Sequence, residues 1–222
     1  MNVLCRAVVF DLDGVIVDTA RFHYKAWKRL ADEEGIYFDE AINERLKGVS
    51  RMDSLNIIME RRAREYTSDE LIALADRKNS NYVTMLDDLG PADLLPGIAE
   101  FIAELKQAAI KTAICSASRN TDKIIDRLAV RDQFDAIVSG NDITRSKPDP
   151  EGFLLAAERM NVPPGESAVV EDAYAGVEAG NAAGMYTIGI GDADILTNAD
   201  VVLPSTASLT LDALTTVMNN TK

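Results

Sequence analysis

Asp11 and Asp13 stand two residues apart in Asp11-Leu12-Asp13-Gly14, directly after the apolar run Ala7 to Phe10. Alternation along an extended backbone puts both carboxylates on one side, and Gly14 lets the chain turn away tightly. Two close carboxylates repel, so a cation, a proton on one of them or exposure to water must relieve them; an acidic pair that merely starts a loop meets the same requirement through water. Further along, Ser116-Ala117-Ser118-Arg119-Asn120 follows the apolar run Thr112 to Cys115 and enters a helix. Small hydroxyls and free backbone N–H groups there can receive phosphate, and Ser118 or Asn120 can equally cap the helix. Pro148 and Pro150 follow Lys147 in Ser146-Lys147-Pro148-Asp149-Pro150 and fix the backbone beside it, which could aim its ammonium into a cleft or simply shape a loop. Glu171-Asp172 ends the run Ala168 to Val170 where another helix starts, able to hold Mg²⁺ or to complement the helix dipole.

These groups need a scaffold that brings them together. The short apolar runs Ala7 to Phe10, Thr112 to Cys115, Ala136 to Val138, Ala168 to Val170, Tyr186 to Ile190 and Val201 to Leu203 read as buried parallel strands. Helix-period segments Gly97 to Gln107, Thr121 to Leu128, Pro150 to Met160 and Ala173 to Ala183 separate most of them. Alternating strands and helices predict an α/β fold with a doubly wound parallel sheet, a Rossmann-like core whose site lies at the strand C-termini. Carboxylate pair, hydroxyl, lysine and second carboxylate pair all follow such strands, in that order along the chain.

From Val15 onward the rhythm breaks: residues 20–34, 39–47, 51–65 and 68–86 read as four helices in succession, predicting an α-helical cap inserted over 15–90, with 1–14 and 91–222 forming the core. The insertion holds over half of the Lys and Arg in about a third of the length, which suits a clamp on an anion as well as solvated helix faces with i,i+4 pairs. Within it, Thr19 can cap the first helix, and His23 and Trp27 share a face at i,i+4, an arrangement that packing alone also produces. Leu46-Lys47-Gly48-Val49-Ser50-Arg51 is a turn that offers Lys47 and Arg51 to an anion or simply joins two helices. Arg77-Lys78-Asn79 lies on the last cap helix, reaching the cleft or remaining in solvent.

Composition excludes whole classes. The 222 residues carry 23 basic and 36 acidic groups, a net charge of −13 that repels polyanions, so neither nucleic acid nor an anionic membrane is an expected partner. Cys5 and Cys115 are far apart and in no ligand spacing, as expected of buried thiols in a reducing cytoplasm. Neither a secretory signal nor an apolar run long enough to span a bilayer is present, so a cytoplasmic, monomeric protein is expected.

The four strand-end motifs, in order, resemble the haloacid dehalogenase superfamily. With Thr19-x-x-x-His23-x-x-x-Trp27, Leu46 to Arg51 and Arg77-Lys78-Asn79 included, the chain resembles the β-phosphoglucomutase family within it, through both cap and sheet. That resemblance implies an isomerase of carbohydrate metabolism interconverting β-D-glucose 1-phosphate and D-glucose 6-phosphate through enzyme-bound β-glucose 1,6-bisphosphate, which also activates it. It implies Asp11 as the nucleophile that becomes phosphorylated, Asp13 as general acid and base, and one Mg²⁺ held by Asp11, Asp13, Glu171 and Asp172. Contacts to sugar and phosphate carry over onto Thr19, His23, Trp27, Gly48, Val49, Ser50, Arg51, Lys78, Ser116, Ala117, Ser118, Arg119, Asn120 and Lys147. Arg119 departs from the lysine of the family; its charge survives, but its hydrogen-bond geometry differs. The sheet motifs serve equally for a Mg²⁺-dependent sugar-phosphate phosphatase, in which water replaces the sugar hydroxyl. A noncatalytic sugar-phosphate-binding module is the third alternative.

Overall fold

The computed structural model of the protein describes residues 5–46 and 49–219. Its six strands, β1 (Ala7–Phe10), β2 (Lys111–Cys115), β3 (Ala136–Val138), β4 (Ser167–Glu171), β5 (Tyr186–Ile190) and β6 (Val201–Leu203), pair in parallel in the order β3-β2-β1-β4-β5-β6. All four residues of β1 are fully buried, which is why this strand reads as a continuous apolar run rather than an alternating one. Val8 and Phe10 enter the core on one face of the sheet, Ala7 and Val9 the core on the other.

Helices cover both faces. α5 (Ile98–Gln107), α6 (Thr121–Arg127) and α9 (Leu211–Asn219) bury Phe101, Ile125 and Val217 on the Phe10 side, whereas α7 (Glu151–Met160) and α8 (Tyr174–Ala182) bury Phe153 and Ala179 on the Val9 side. The sequence reading did not include α9, although Leu211, Leu214, Val217 and Met218 recur at helical spacing. Because β2 and β4 flank β1 on opposite sides, the winding reverses at β1. A crevice therefore opens beyond its C-terminal end, between Asp11 and Glu171.

Between β1 and α5 run α1 (Ala20–Glu33), α2 (Glu40–Glu44), α3 (Arg51–Met59) and α4 (Ser68–Met85), which enclose their own apolar cluster of Trp27, Leu30, Phe38, Leu55, Ile58 and Leu74. Thr67 and Glu70 form a reciprocal capping box that starts α4. The chain leaves and re-enters the sheet domain side by side: Leu95 N–H donates to the Ile16 carbonyl (2.9 Å), and Val17 bridges to Leu94. α3 stops at Met59 rather than 65, because residues 60–65 are exposed and offer no apolar side chain larger than Ala63 to bury. α2 likewise ends at Glu44. Among the described residues no helix is long and apolar enough to cross a membrane.

Candidate active site

The Asp11 backbone N–H donates to the Val170 carbonyl (2.9 Å), continuing the β1–β4 ladder and holding the carboxylate at the crevice. Lys147, buried at the end of the loop after β3, donates from Nζ to Asp11 Oδ1 and Glu171 Oε1, and to the Cys115 carbonyl at 3.4 Å. Glu171 has no exposed surface, and its other oxygen accepts from the Ala173 N–H (2.9 Å). Two glycines make room for these groups. A Cβ on Gly14 would lie 2.2 Å from Asp172 Oδ2, and one on Gly176 would lie 1.8 Å from Glu171 Oε1; Gly14 also has φ +92°.

Asp11, Glu171 and Asp172 each offer an oxygen within 4.8 Å of the others. Three carboxylates around one ammonium leave an excess of two negative charges. An oxygen donor set of that charge fits a hard divalent cation. Asp13, also expected as a ligand, stands outside this group. The chain turns at Gly14, and Asp13 instead feels Lys147 and then Lys78, the latter from the cap.

Burial pushes the Asp13 pKa up from 3.8 to about 6, with Lys147 and Lys78 opposing, and its Oδ1 is buried without a hydrogen-bond partner. Asp11 is raised too, by burial first, with Lys147 opposing. Burial works against the Lys147 ammonium, but Asp11 and Glu171 outweigh it and hold that pKa well above the ordinary lysine value. The pair Asp11 and Asp13 thus has the electrostatics of a nucleophile held by a fixed cation beside a proton carrier that titrates near neutrality.

Ser116 is buried at the end of β2; its Oγ accepts the Ser118 N–H (3.1 Å), and Ser118 Oγ accepts the Asn120 N–H (3.1 Å), so both hydroxyl protons remain available as donors. Asn120 occupies the N-cap position of α6 without a side-chain cap; its amide donates instead to Asn79 Oδ1 on α4 (2.8 Å). Gly140 lets this loop approach the one after β3, since a Cβ there would lie 2.2 Å from the Ala117 carbonyl.

From the cap, His23, Trp27, Val49, Ser50, Arg51 and Lys78 line one cleft of about 450 Å³ together with Asp11, Asp13, Ser116 to Asn120, Glu171 and Asp172. Lys78 is buried, lies 3.0 Å from His23 Nδ1, and its pKa is lowered to about 7 by burial and then by Arg51. Burial, then Lys78 and Arg51, hold His23 well below its ordinary value, which favours the neutral imidazole beside the Lys78 amine. Arg51 starts α3, where Ser50 Oγ caps Asp53 N–H (3.2 Å); burial and then the charge of Arg119 lower the Arg51 pKa, so two guanidiniums from cap and core face the same space.

Some expectations meet a different arrangement. Thr19 precedes α1 but makes no side-chain cap and lies buried beneath the cleft rather than on its wall. Trp27 lines the cleft as expected while also packing in the cap core, with Lys78 Nζ 4.6 Å from its ring centroid. Gly48 and its neighbour Lys47 lie outside the described residues. Asp76, Asn79 and Ser146 also line the cleft, and the sequence reading assigned them no role. Ser146 Oγ donates across it to Asp53 Oδ2 on α3 (3.2 Å). Asp76 and Asn79 flank Lys78 on the cleft edge of α4, the one signal that pointed to them.

Comparison with known proteins follows the same lines. A family model described as a haloacid dehalogenase-like hydrolase matches residues 5–184. The chain is 46% identical over 211 residues to the β-phosphoglucomutase of Bacillus subtilis (strain 168), covering 94% of this chain and 93% of that protein. It is 34% identical to a phosphorylated carbohydrates phosphatase of Thermotoga maritima, covering 82% and 83%. Among solved structures, a β-phosphoglucomutase from Clostridium difficile superposes with a TM-score of 0.93 at 38% identity, covering 97% of this chain and 98% of that one.

Proposed function

Given that the chain belongs to the haloacid dehalogenase-like hydrolase family, we propose that it is an isomerase interconverting β-D-glucose 1-phosphate and D-glucose 6-phosphate through an aspartyl-phosphate enzyme and β-glucose 1,6-bisphosphate. One observation supports this reading above the others. A single cleft has Asp11 at the sheet, with Lys147 buried behind it, and the guanidiniums of Arg51 and Arg119 to receive a second phosphate. A phosphatase needs the first group alone.

In this cycle the 6-hydroxyl of β-glucose 1-phosphate attacks the phosphorus of phospho-Asp11. The bond from phosphorus to Asp11 breaks, and the hydroxyl proton passes to Asp13. The bisphosphate then turns end over end, and Asp11 attacks the phosphorus at C1. The O1–P bond breaks, Asp13 returns its proton to O1, and glucose 6-phosphate leaves the re-phosphorylated enzyme. Lys147 and Ser116 hold the transferring oxygens, and Ser118, Arg119, Asn120 and Arg51 hold the phosphate remote from Asp11. Magnesium held by Asp11, Glu171 and Asp172 would offset charge on the transferring oxygens. Residues 15–90 serve as the cap, and its closure onto 1–14 and 91–222 excludes water from phospho-Asp11. His23, held neutral, and Lys78 meet the sugar beside Asp13.

The test incubates the protein with β-glucose 1-phosphate, Mg²⁺ and trace β-glucose 1,6-bisphosphate, following glucose 6-phosphate and inorganic phosphate separately. Glucose 6-phosphate is the expected product. Predominant release of inorganic phosphate would replace the mutase by a phosphatase, and neither product would leave a binding module.

A further inference from the structure

Tyr82 lies one helical turn after Lys78 on α4, has no exposed surface and is not part of the cleft wall. Its ring nevertheless touches His23 and Lys78, two groups that line the same cleft as Asp13, and Lys78 acts on Asp13 directly. The His23 ring lies on it with centroids 4.1 Å apart at 44°, and Lys78 Nζ stands 4.7 Å from its centroid. Lys78 thus sits between the Tyr82 and Trp27 rings, with His23 Nδ1 as its hydrogen-bond partner. Among the described residues no carboxylate forms a salt bridge with this buried amine; the two π faces and the charge of Asp13 favour its ammonium form against burial and Arg51, which lower its pKa. The hydroxyls of Tyr82 and Thr19 are buried close to one another, off the cleft wall, and Asp13 Oδ1 is buried without a hydrogen-bond partner. The Tyr82 phenol is held far above its ordinary value by burial and then by the charge of Asp13, so it stays protonated.

We propose that Tyr82 is a positioning residue of the sugar-binding end, whose aromatic face fixes the His23 imidazole and the Lys78 ammonium against Asp13. Substrate does not reach Tyr82, and the residue acts through the two side chains it supports. The role belongs to the ring rather than to the hydroxyl, because the ring makes the contacts with His23 and Lys78. The kinetic part of this proposal rests on the mutase reading. The placement of His23 does not.

Tyr82→Phe keeps the ring, and Tyr82→Leu removes it. In the full chain Tyr82→Phe should keep kcat within about threefold of the parent, whereas Tyr82→Leu should lose about tenfold or more, as expected when a desolvated cation loses one aromatic face. Hydrolysis of phospho-Asp11 by water, which needs neither His23 nor Lys78, should change less than about twofold in both. His23 is the only histidine, so its side-chain NMR signals report the stacking directly. They should keep their ring-current shift in Tyr82→Phe and lose it in Tyr82→Leu, whichever sugar phosphate proves to be the substrate.

Equal losses of transfer and hydrolysis in a folded Tyr82→Leu, or an unchanged kcat, would overturn the proposal. So would a loss of about tenfold or more in Tyr82→Phe, a measurement that requires only the conservative variant to fold. If the parent yields inorganic phosphate instead of glucose 6-phosphate the mutase reading fails, and the His23 spectra still decide the placement of Tyr82.

Discussion

Gly176→Ala separates helix propensity from site geometry. Gly176 lies in the first turn of α8, where alanine is the better helix former by up to about 1 kcal/mol, so propensity alone predicts a more stable protein. The added methyl, however, would lie 1.8 Å from Glu171 Oε1 and 2.0 Å from its carboxyl carbon. A carboxylate at the end of a free side chain would swing aside at little cost. Glu171 is fully buried and fixed by Lys147 and by the Ala173 N–H, so moving it breaks a buried ion pair together with a backbone hydrogen bond. Breaking such a pair costs about 3–5 kcal/mol, and the propensity gain returns about 1, leaving a net loss of about 2–4 kcal/mol. For a chain of this length that corresponds to a fall in Tm of about 5–15 °C. Thermal and urea unfolding of parent and variant without Mg²⁺ measure it, and Mg²⁺ titration should show weaker binding because Glu171 has moved. A variant as stable as the parent, with unchanged Mg²⁺ affinity, would refute the tight placement of Glu171 against α8.

Three further outcomes follow from the same geometry. Because the pKa of Asp13 rises from 3.8 to about 6 on folding, its contribution to stability is full below the unfolded value and is lost as pH rises through the folded one. Asp13→Asn should therefore abolish glucose 6-phosphate formation yet unfold at higher urea than the metal-free parent near pH 8, by up to about 2 kcal/mol after discounting for partial solvation, with the gap closing toward pH 4; a variant less stable at both pH values would contradict the burial cost. Arg51→Ala should lower mutase turnover at least tenfold, about 1.4 kcal/mol in the barrier, while phospho-Asp11 hydrolyses at nearly the parent rate; equal losses would remove Arg51 from the remote phosphate. The thiols of Cys5 and Cys115 are buried and pushed up to about 11 and about 12, chiefly by burial, so an aromatic disulfide reagent at pH 8 should label neither until the protein unfolds. Rapid labelling of native protein would contradict that burial.

The sheet was legible because its strands are buried on both faces and so appear as apolar runs, and because each strand end carries a residue type that a packed core does not need. Asp11, Ser116, Lys147 and Glu171 could therefore be placed from sequence alone. What escaped depends on how the cap faces the core. Asn79 meets Asn120 and Asp53 meets Ser146 across a cleft whose two walls come from distant parts of the chain. No local periodicity encodes that apposition. Tyr82 is part of the apolar core, and nothing in its sequence position sets it apart from other core aromatics. Its relation to His23 and Lys78 emerges only once α1 packs against α4. The spacing of Asp11 and Asp13 left cation, proton or water open as the relief of their repulsion; in the structure Asp11 stands with Glu171 and Asp172, whereas the Asp13 carboxylate is outside that group. The charged run after Met59 is compatible with helix by propensity, yet the helix ends there for want of an apolar face.

Asp11 is proposed to take a phosphoryl group from C1 of one sugar and give it to the 6-hydroxyl of the next, and the path of that group is what must be measured. Enzyme is mixed with β-glucose 1,6-bisphosphate labelled in its phosphates, quenched in acid, and mapped by mass spectrometry; unlabelled β-glucose 1-phosphate is then added as a chase. The account predicts label on Asp11 alone, then its transfer to the chased sugar with little label in inorganic phosphate. No label on Asp11, or label that passes mainly to inorganic phosphate during the chase, would contradict it.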